Sequence, residues 1–128
     1  MERAVEIFAA VQGTIIGLSH VFQPRGWVDF FVWLRSKGHA GVFANGFLSL
    51  WFGGIIVAFH NVWEGLPMVL TLLGWAQVIK ALVAFVFPDV SMWGFRRVSP
   101  ERSHEFVVGG VVLLGLSGVL WYLVFTGA

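Results

Sequence analysis

Val21 to His39 reads VFQPRGWVDFFVWLRSKGH, and Val86 to His104 reads VFPDVSMWGFRRVSPERSH. Both run from an apolar lead-in through a proline and an aromatic stretch to basic residues and a histidine. Proline lacks the amide proton that a continuing helix needs and biases the residue before it away from α, so each segment marks the end of an apolar helix. Around them lie four apolar runs, at about residues 5–22, 40–59, 67–87 and 106–125. A helix of roughly 20 apolar residues crosses the ~30 Å hydrocarbon layer with its backbone groups bonded internally. The pattern predicts an all-α integral membrane protein, one transmembrane domain over residues 1–128 built as a bundle of four transmembrane helices. Only HNVWEGL separates the second run from the third, which makes those two helices antiparallel neighbours.

Composition agrees. Of the 128 residues 58% are apolar and 12% are charged, where soluble domains carry about a quarter charged residues. A net charge of +1 gives no ground for a nucleic-acid partner; the partner implied is the lipid bilayer. With no cysteine, the chain has no disulfide, thiolate ligand or cysteine nucleophile. The opening MERAVEIF lacks a basic n-region and a small-residue cleavage site, so the first run reads as a retained span.

Arg25, Arg35, Lys37, Arg96, Arg97 and Arg102 fall in the two longer connections, whereas the other side of the membrane receives only Arg3. The positive-inside rule then predicts a multi-pass protein of the inner membrane with the longer connections cytoplasmic and both termini outside. Trp27, Trp33 and Trp93 would form the cytoplasmic aromatic belt, and Trp63, Trp121 and Tyr122 the outer one. Trp27, Phe30, Phe31 and Leu34 follow helical spacing, which predicts an amphipathic helix lying at the interface. Ser99-Pro100-Glu101 reads as a helix start with a serine cap.

The two quoted segments belong to a longer correspondence. Gln12 pairs with Gln77, Val21-Phe22 with Val86-Phe87, Pro24 with Pro88 and His39 with His104, at intervals of 64 to 65 residues. This predicts two tandem helical-hairpin repeats, about 5–60 and 67–126, each with an interfacial segment. Two spans per unit make the repeats parallel, related by an axis along the membrane normal.

Polar groups inside a bilayer are costly and by default face a bundle interior or a cavity. His20, His39 and His104 fall near the cytoplasmic interface, and Lys80, Asn45, Gln77 and Gln12 lie progressively deeper. Gln77 and Lys80, three apart, share a helix face. No carboxylate lies at the depth of Lys80. Its ammonium therefore snorkels to phosphates, gives up its proton, or joins Gln77, Gln12, Asn45 and the histidines around an anionic or carbonyl-bearing ligand. The outer half offers Glu6, Thr71, His60, Asn61, Ser117 and Glu64, most of them near the interface, with His60 read as a helix terminus.

His20, His39 and His104 are also the candidate metal set, three nitrogens for zinc or two for haem iron. No HxxxH or HExxH spacing accompanies them, so no motif specifies a cofactor. Ser19-His20 point to different helix faces and no nucleophile elbow is present, so nothing specifies an enzyme. Gly53-Gly54, Gly109-Gly110, Gly115 and Gly118 permit close helix approach, within the bundle or between protomers.

The order of a helix, an interfacial segment, a helix carrying LWFGGIIVAF and two further helices, with GLSHVF closing the first span, resembles the DoxX-type small bacterial membrane proteins over roughly the first 90 residues. The acidic residue of that family's pattern before the double glycine is replaced here by Leu50-Trp51-Phe52, so no functional residue carries over. The resemblance implies an accessory subunit associated with membrane redox or quinone chemistry. The residues themselves lead first to a binding or transport module for a small anionic or amphiphilic ligand, as a homo-oligomer. The alternatives are a subunit of a larger membrane complex and a histidine-ligated metal or haem protein.

Overall fold

The computed structural model describes residues 1–127; Ala128, the last residue of the expected domain, lies outside the described residues. The chain folds as α1 (Glu2–Phe22), α2 (Pro24–Ser36), α3 (His39–Phe59), α4 (Met68–Val86), α5 (Pro88–Arg96), a 3-10 turn (Pro100–Arg102) and α6 (His104–Thr126), with no strand among the described residues. α1, α3, α4 and the segment ending in α6 are long and apolar enough to cross a membrane, as a multi-pass membrane protein requires. The bundle has a terminal end, carrying both chain ends and the α3–α4 loop, and a connection end, carrying α2 and α5.

Proline sets both joints at the connection end. α1 stops at Gln23 (φ −130°, ψ 52°), whose amide still donates to the Ser19 carbonyl at 2.7 Å, and Pro24 opens α2. α4 stops at Phe87 (φ −127°, ψ 63°), its amide donating to the Val83 carbonyl at 2.8 Å, and Pro88 opens α5. In each case the ring excludes its predecessor from α geometry and then serves as the first residue of the next helix, where no amide proton is needed.

α2 and α5 then bury apolar residues against the crossing helices: Leu34, Met92 and Phe95 form one cluster with Val42 of α3 and Ala84 of α4. Arg35 of α2 closes the end of α5, its Nη1 donating to the Phe95 carbonyl at 3.2 Å and the Val98 carbonyl at 3.1 Å. Gly38, at φ 61°, turns the chain from α2 into α3, a conformation costly for any residue with a Cβ.

The helix start at Ser99 differs from expectation. Ser99 has extended backbone and Pro100 follows at the first position, but they open only the 3-10 turn, and the Ser99 hydroxyl makes no capping bond. The α-helix begins at His104. Proline's fixed φ suits either turn, and a serine cap works only if the following amides adopt α geometry.

The crossing helices form two tight pairs, α1 along α6 and α3 along α4, whereas α1 meets α3 over only a short stretch. Small residues set the approach: a Cβ on Gly110 would stand 2.7 Å from the Gly17 carbonyl oxygen, and one on Gly53 would stand 2.8 Å from the Gly74 carbonyl oxygen. Ser117 is 2% exposed with no hydrogen-bond partner, and its Oγ lies over Gly13 of α1 where a side chain would otherwise be. Gly54, Gly109, Gly115 and Gly118 meet open space and take no part in these crossings. The main apolar core lies toward the terminal end, where Val5, Ala9, Ile56, Leu70 and Leu123 gather from all four crossing helices.

Candidate functional site

The most deeply buried polar centre is at the terminal end. Arg3 and Glu6 are one turn apart on α1, and the Arg3 guanidinium donates to Glu6 Oε1 at 3.0 Å and to the Leu123 carbonyl in the last turn of α6. His60 ends α3, where its non-helical backbone (φ −140°, ψ 70°) turns the imidazole inward, with Nε2 2.8 Å from Glu6 Oε2. Its Nδ1 lies 3.2 Å from Thr71 Oγ1 of α4. The Thr71 hydroxyl also accepts the Val62 amide at 3.1 Å and lies within bonding distance of the His60 and Val62 carbonyls. Glu6 is 4% exposed, and His60 and Thr71 are fully buried.

An isolated carboxylate in such surroundings would cost several kcal/mol, so pairing is a condition of its burial. Here Nε2–H donates to one carboxylate oxygen, Arg3 to the other, and Nδ1 faces a hydroxyl, so each polar side-chain atom has a partner. The centre joins all four crossing helices at a single point.

The other polar groups border clefts at mid-bundle and at the connection end. Gln12 and Gly13 of α1, Ser49 of α3, Gln77 of α4 and Leu113 of α6 border a cleft of about 250 Å³, so all four crossing helices contribute to it. Its remaining wall includes Phe52 and Leu73, which pack against the terminal-end core and separate the cleft from Glu6 and His60. Asn45 and Lys80 border a second cleft of about 260 Å³ between α3, α4 and α5, walled by Val42, Val83, Ala84 and Phe95. Trp93 and Gly94 belong to both this cleft and a third, about 510 Å³, lined further by Arg96, Arg97 and Arg102. No carboxylate lines either of these last two clefts. Arg97 donates to Glu105 at 2.7 Å, and that hydrogen bond raises its pKa above the ordinary arginine value, so this cation persists at any working pH.

Of the residues expected to converge, Gln12 and Gln77 share the mid-bundle cleft, and Asn45 and Lys80 share the next one. The histidines go elsewhere. His20 stacks on Trp27 at 4.1 Å, with Nδ1 2.8 Å from the Ile16 carbonyl; His39 Nε2 lies 3.0 Å from Asp89 Oδ1; and His104 is exposed at the start of α6. Among the described residues no three histidine, aspartate or glutamate side chains gather as a metal-binding set.

The Glu6–His60–Thr71 centre is the part that sequence reasoning did not assemble. His60 does end a helix, as expected, and there it is a buried hydrogen-bonding hub. One signal was present: Glu6 and Thr71 stand at the 65-residue interval of Gln12 and Gln77. Compared with known proteins, the chain matches no family model, no curated protein and no solved structure.

Proposed function

We propose that the chain is a small binding or transport module of the inner membrane, holding a small anionic amphiphile in a pocket that opens toward the cytoplasm at the connection end. The observation that carries this reading is the Asn45–Lys80 cleft. It presents, on the exposed face of α4, an ammonium to which no described residue supplies an acceptor, beside apolar walls and three arginines, with no carboxylate in the lining. A cation held that way in lipid favours an anionic partner, and the apolar walls favour an attached tail.

Polar side chains continue inward from this cleft to the separate mid-bundle cleft. Ser49 lies one turn below Asn45 on α3, and Gln77 three residues before Lys80 on α4, so the polar side chains form a file from the arginines to mid-bundle. The Gln12 and Gln77 amides have no partner among the described residues, and a ligand's polar group or water would satisfy them. The apolar core beyond Phe52 and Leu73 supports access from one end only.

Two features support a tandem origin of the halves about 5–60 and 67–126. The joints at Gln23-Pro24 and Phe87-Pro88 have nearly the same backbone geometry. The first helix of each half also packs along the second helix of the other. Such a crossed arrangement around a mid-bundle cleft is the form expected of parallel repeats enclosing a site. Six of the eight basic residues fall in the longer connections, which supports a cytoplasmic connection end.

The test is retention of phosphatidylglycerol against phosphatidylcholine by the purified protein, read by native mass spectrometry. The native chain is expected to hold the anionic lipid preferentially, and Lys80→Met to lose at least about tenfold in that preference, the equivalent of one charge contact. Equal retention by Lys80→Met and the native chain would remove the reading.

A further inference from the structure

We infer that the mid-bundle cleft is a second binding site, separate from the Lys80 cleft, for an uncharged lipid that carries a hydroxyl group. Depth is the first observation. Gln12, Ser49 and Gln77 all border this cleft, and each is the middle residue of its helix, α1 (Glu2–Phe22), α3 (His39–Phe59) and α4 (Met68–Val86). Three polar side chains from three helices therefore meet at the depth where an unsatisfied polar group costs most. Amides and hydroxyls at that depth ordinarily bond one another across helices. Here neither glutamine amide nor the Ser49 hydroxyl bonds a described residue. Ser49 is 6% exposed, so a partner for its hydroxyl has to come from within the cleft. Behind Gly13, another lining residue, the buried Ser117 hydroxyl is also without a partner.

The lining disfavours a charge and selects a hydroxyl. No residue bordering the cleft is charged, and its walls are Ile16, Leu48, Phe52, Leu73 and Leu113. Lys80, one turn from Gln77, lines the neighbouring cleft instead. An anion at this site would lose its hydration without meeting a cation, so an uncharged ligand is favoured. Two amides and a hydroxyl offer N–H and O–H donors together with carbonyl and hydroxyl acceptors. A ligand hydroxyl donates to one of these oxygens and accepts from one N–H. An ether or carbonyl oxygen only accepts, which leaves the amide oxygens unmet.

Gln12 and Leu48 are exposed at the rim, so the cleft opens sideways toward the hydrocarbon layer. A phospholipid headgroup is held at the interface by its charge, but a single hydroxyl crosses the hydrocarbon and reaches this depth from either leaflet. A volume of about 250 Å³ is small for a whole lipid and suits the hydroxyl end with its adjoining methylenes, the remaining chain lying in the bilayer. The Lys80 cleft would take a charge from the interface and this one a neutral group from the middle of the layer, so the two readings fail separately.

The probe is a long-chain alcohol with a photoreactive diazirine next to the hydroxyl, mixed into phosphatidylcholine vesicles that contain the purified protein. After illumination the labelled residues are mapped by mass spectrometry. Labelling of the native chain is expected to saturate and to concentrate on residues 12–16, 48–52 and 73–77. Hexadecanol is expected to displace the probe at least about tenfold more effectively than hexadecyl methyl ether, which keeps the oxygen and loses the donor. Gln12→Leu combined with Gln77→Leu is expected to weaken probe binding at least about tenfold, and Ser49→Ala about fivefold, the losses for two hydrogen bonds and for one. Lys80→Met is expected to leave probe binding unchanged. Labelling spread along every lipid-facing side of the spans, equal displacement by alcohol and ether, or native affinity in the doubly substituted chain would overturn the site. Loss of probe binding in Lys80→Met would overturn its separation from the Lys80 cleft. The displacement comparison uses the native chain, so it decides even if a substitution disturbs folding.

Discussion

Glu6 and Thr71 stand 65 positions apart, the interval that separates Gln12 from Gln77, and both bond the single imidazole of His60. The position at the same interval from His60 is Phe125, which is exposed. The two halves of the chain therefore converge on one histidine, with a carboxylate from one and a hydroxyl from the other. This asymmetry gives the centre an acid on only one side, and its stability depends on that acid keeping its partners.

His60→Leu is expected to destabilise the protein by ~3 kcal/mol, because it leaves a buried carboxylate with Arg3 as its only ion partner. Combining it with Glu6→Leu is expected to recover a large part of that loss, since two apolar groups of similar volume replace the pair. Unfolding of the two single variants and the double variant in mixed micelles gives the coupling. Simple additivity of the two single losses would mean that the side chains are not energetically linked.

Thr71→Val keeps the shape and removes one hydroxyl that serves the His60 ring, the His60 carbonyl and both backbone groups of Val62. The expected cost is ~1–3 kcal/mol, the range for leaving a buried group unsatisfied. The local effect should exceed the global one at the Val62 amide, which loses its acceptor. Hydrogen exchange at Val62 should therefore accelerate well beyond that of helix-interior amides in α4. Unchanged protection at Val62 would show that the loop does not depend on the hydroxyl.

The spans were legible because lipid imposes a one-dimensional criterion, a sufficient run of apolar residues, and each run maps onto a helix within a few residues. The proline joints were legible for a similar local reason. Helix pairing was not, because a helix facing lipid on one side and neighbours on the other is apolar all round, so periodicity does not mark the inner face. Gln77 and Lys80 illustrate the consequence. Their spacing of three puts them on one side of α4, yet a single turn of depth is enough to place them in two different clefts. Glu6 and His60 were hidden for the same reason: each is a lone polar residue near the end of a span, and nothing in the order of residues says that those ends meet.

Close approach at the two crossings predicts a contrast between glycines. At Gly53 a Cβ would meet backbone, standing 2.8 Å from the Gly74 carbonyl and 2.9 Å from the Val78 nitrogen, so α3 must move off α4. Gly53→Ala is expected to cost ~1–3 kcal/mol, as overpacking in a filled interior does. Gly118 meets open space, and Gly118→Ala is expected to be neutral or slightly stabilising through helix propensity. Equal unfolding midpoints for the two variants would contradict the crossing geometry.

The last prediction concerns a basic residue whose charge is not its main role. Arg35 belongs to the basic cluster of the connection end, yet its guanidinium reaches from α2 to the carbonyls at and just past the end of α5, 60 and 63 residues away in sequence. The Phe95 carbonyl lies in the last turn of α5, where its backbone donors are the Arg97 and Val98 amides of a tight turn, the Val98 carbonyl lies just past the helix, and a cation there also meets the negative end of the helix. Arg35→Met keeps the apolar stem and removes the fork, so α5 should fray from its C-terminal end while the crossing helices keep their pairing. Arg35→Lys should restore the protein only in part, since an ammonium is a single point where the fork presents several donors at once. Trypsin reads this directly, because Arg96 and Arg97 lie at the frayed end and are exposed. Cleavage there should be fastest in Arg35→Met, intermediate in Arg35→Lys and slowest in the native chain. Identical cleavage in all three would mean that α5 is held by Met92 and Phe95 alone, with the guanidinium contributing nothing to its closure.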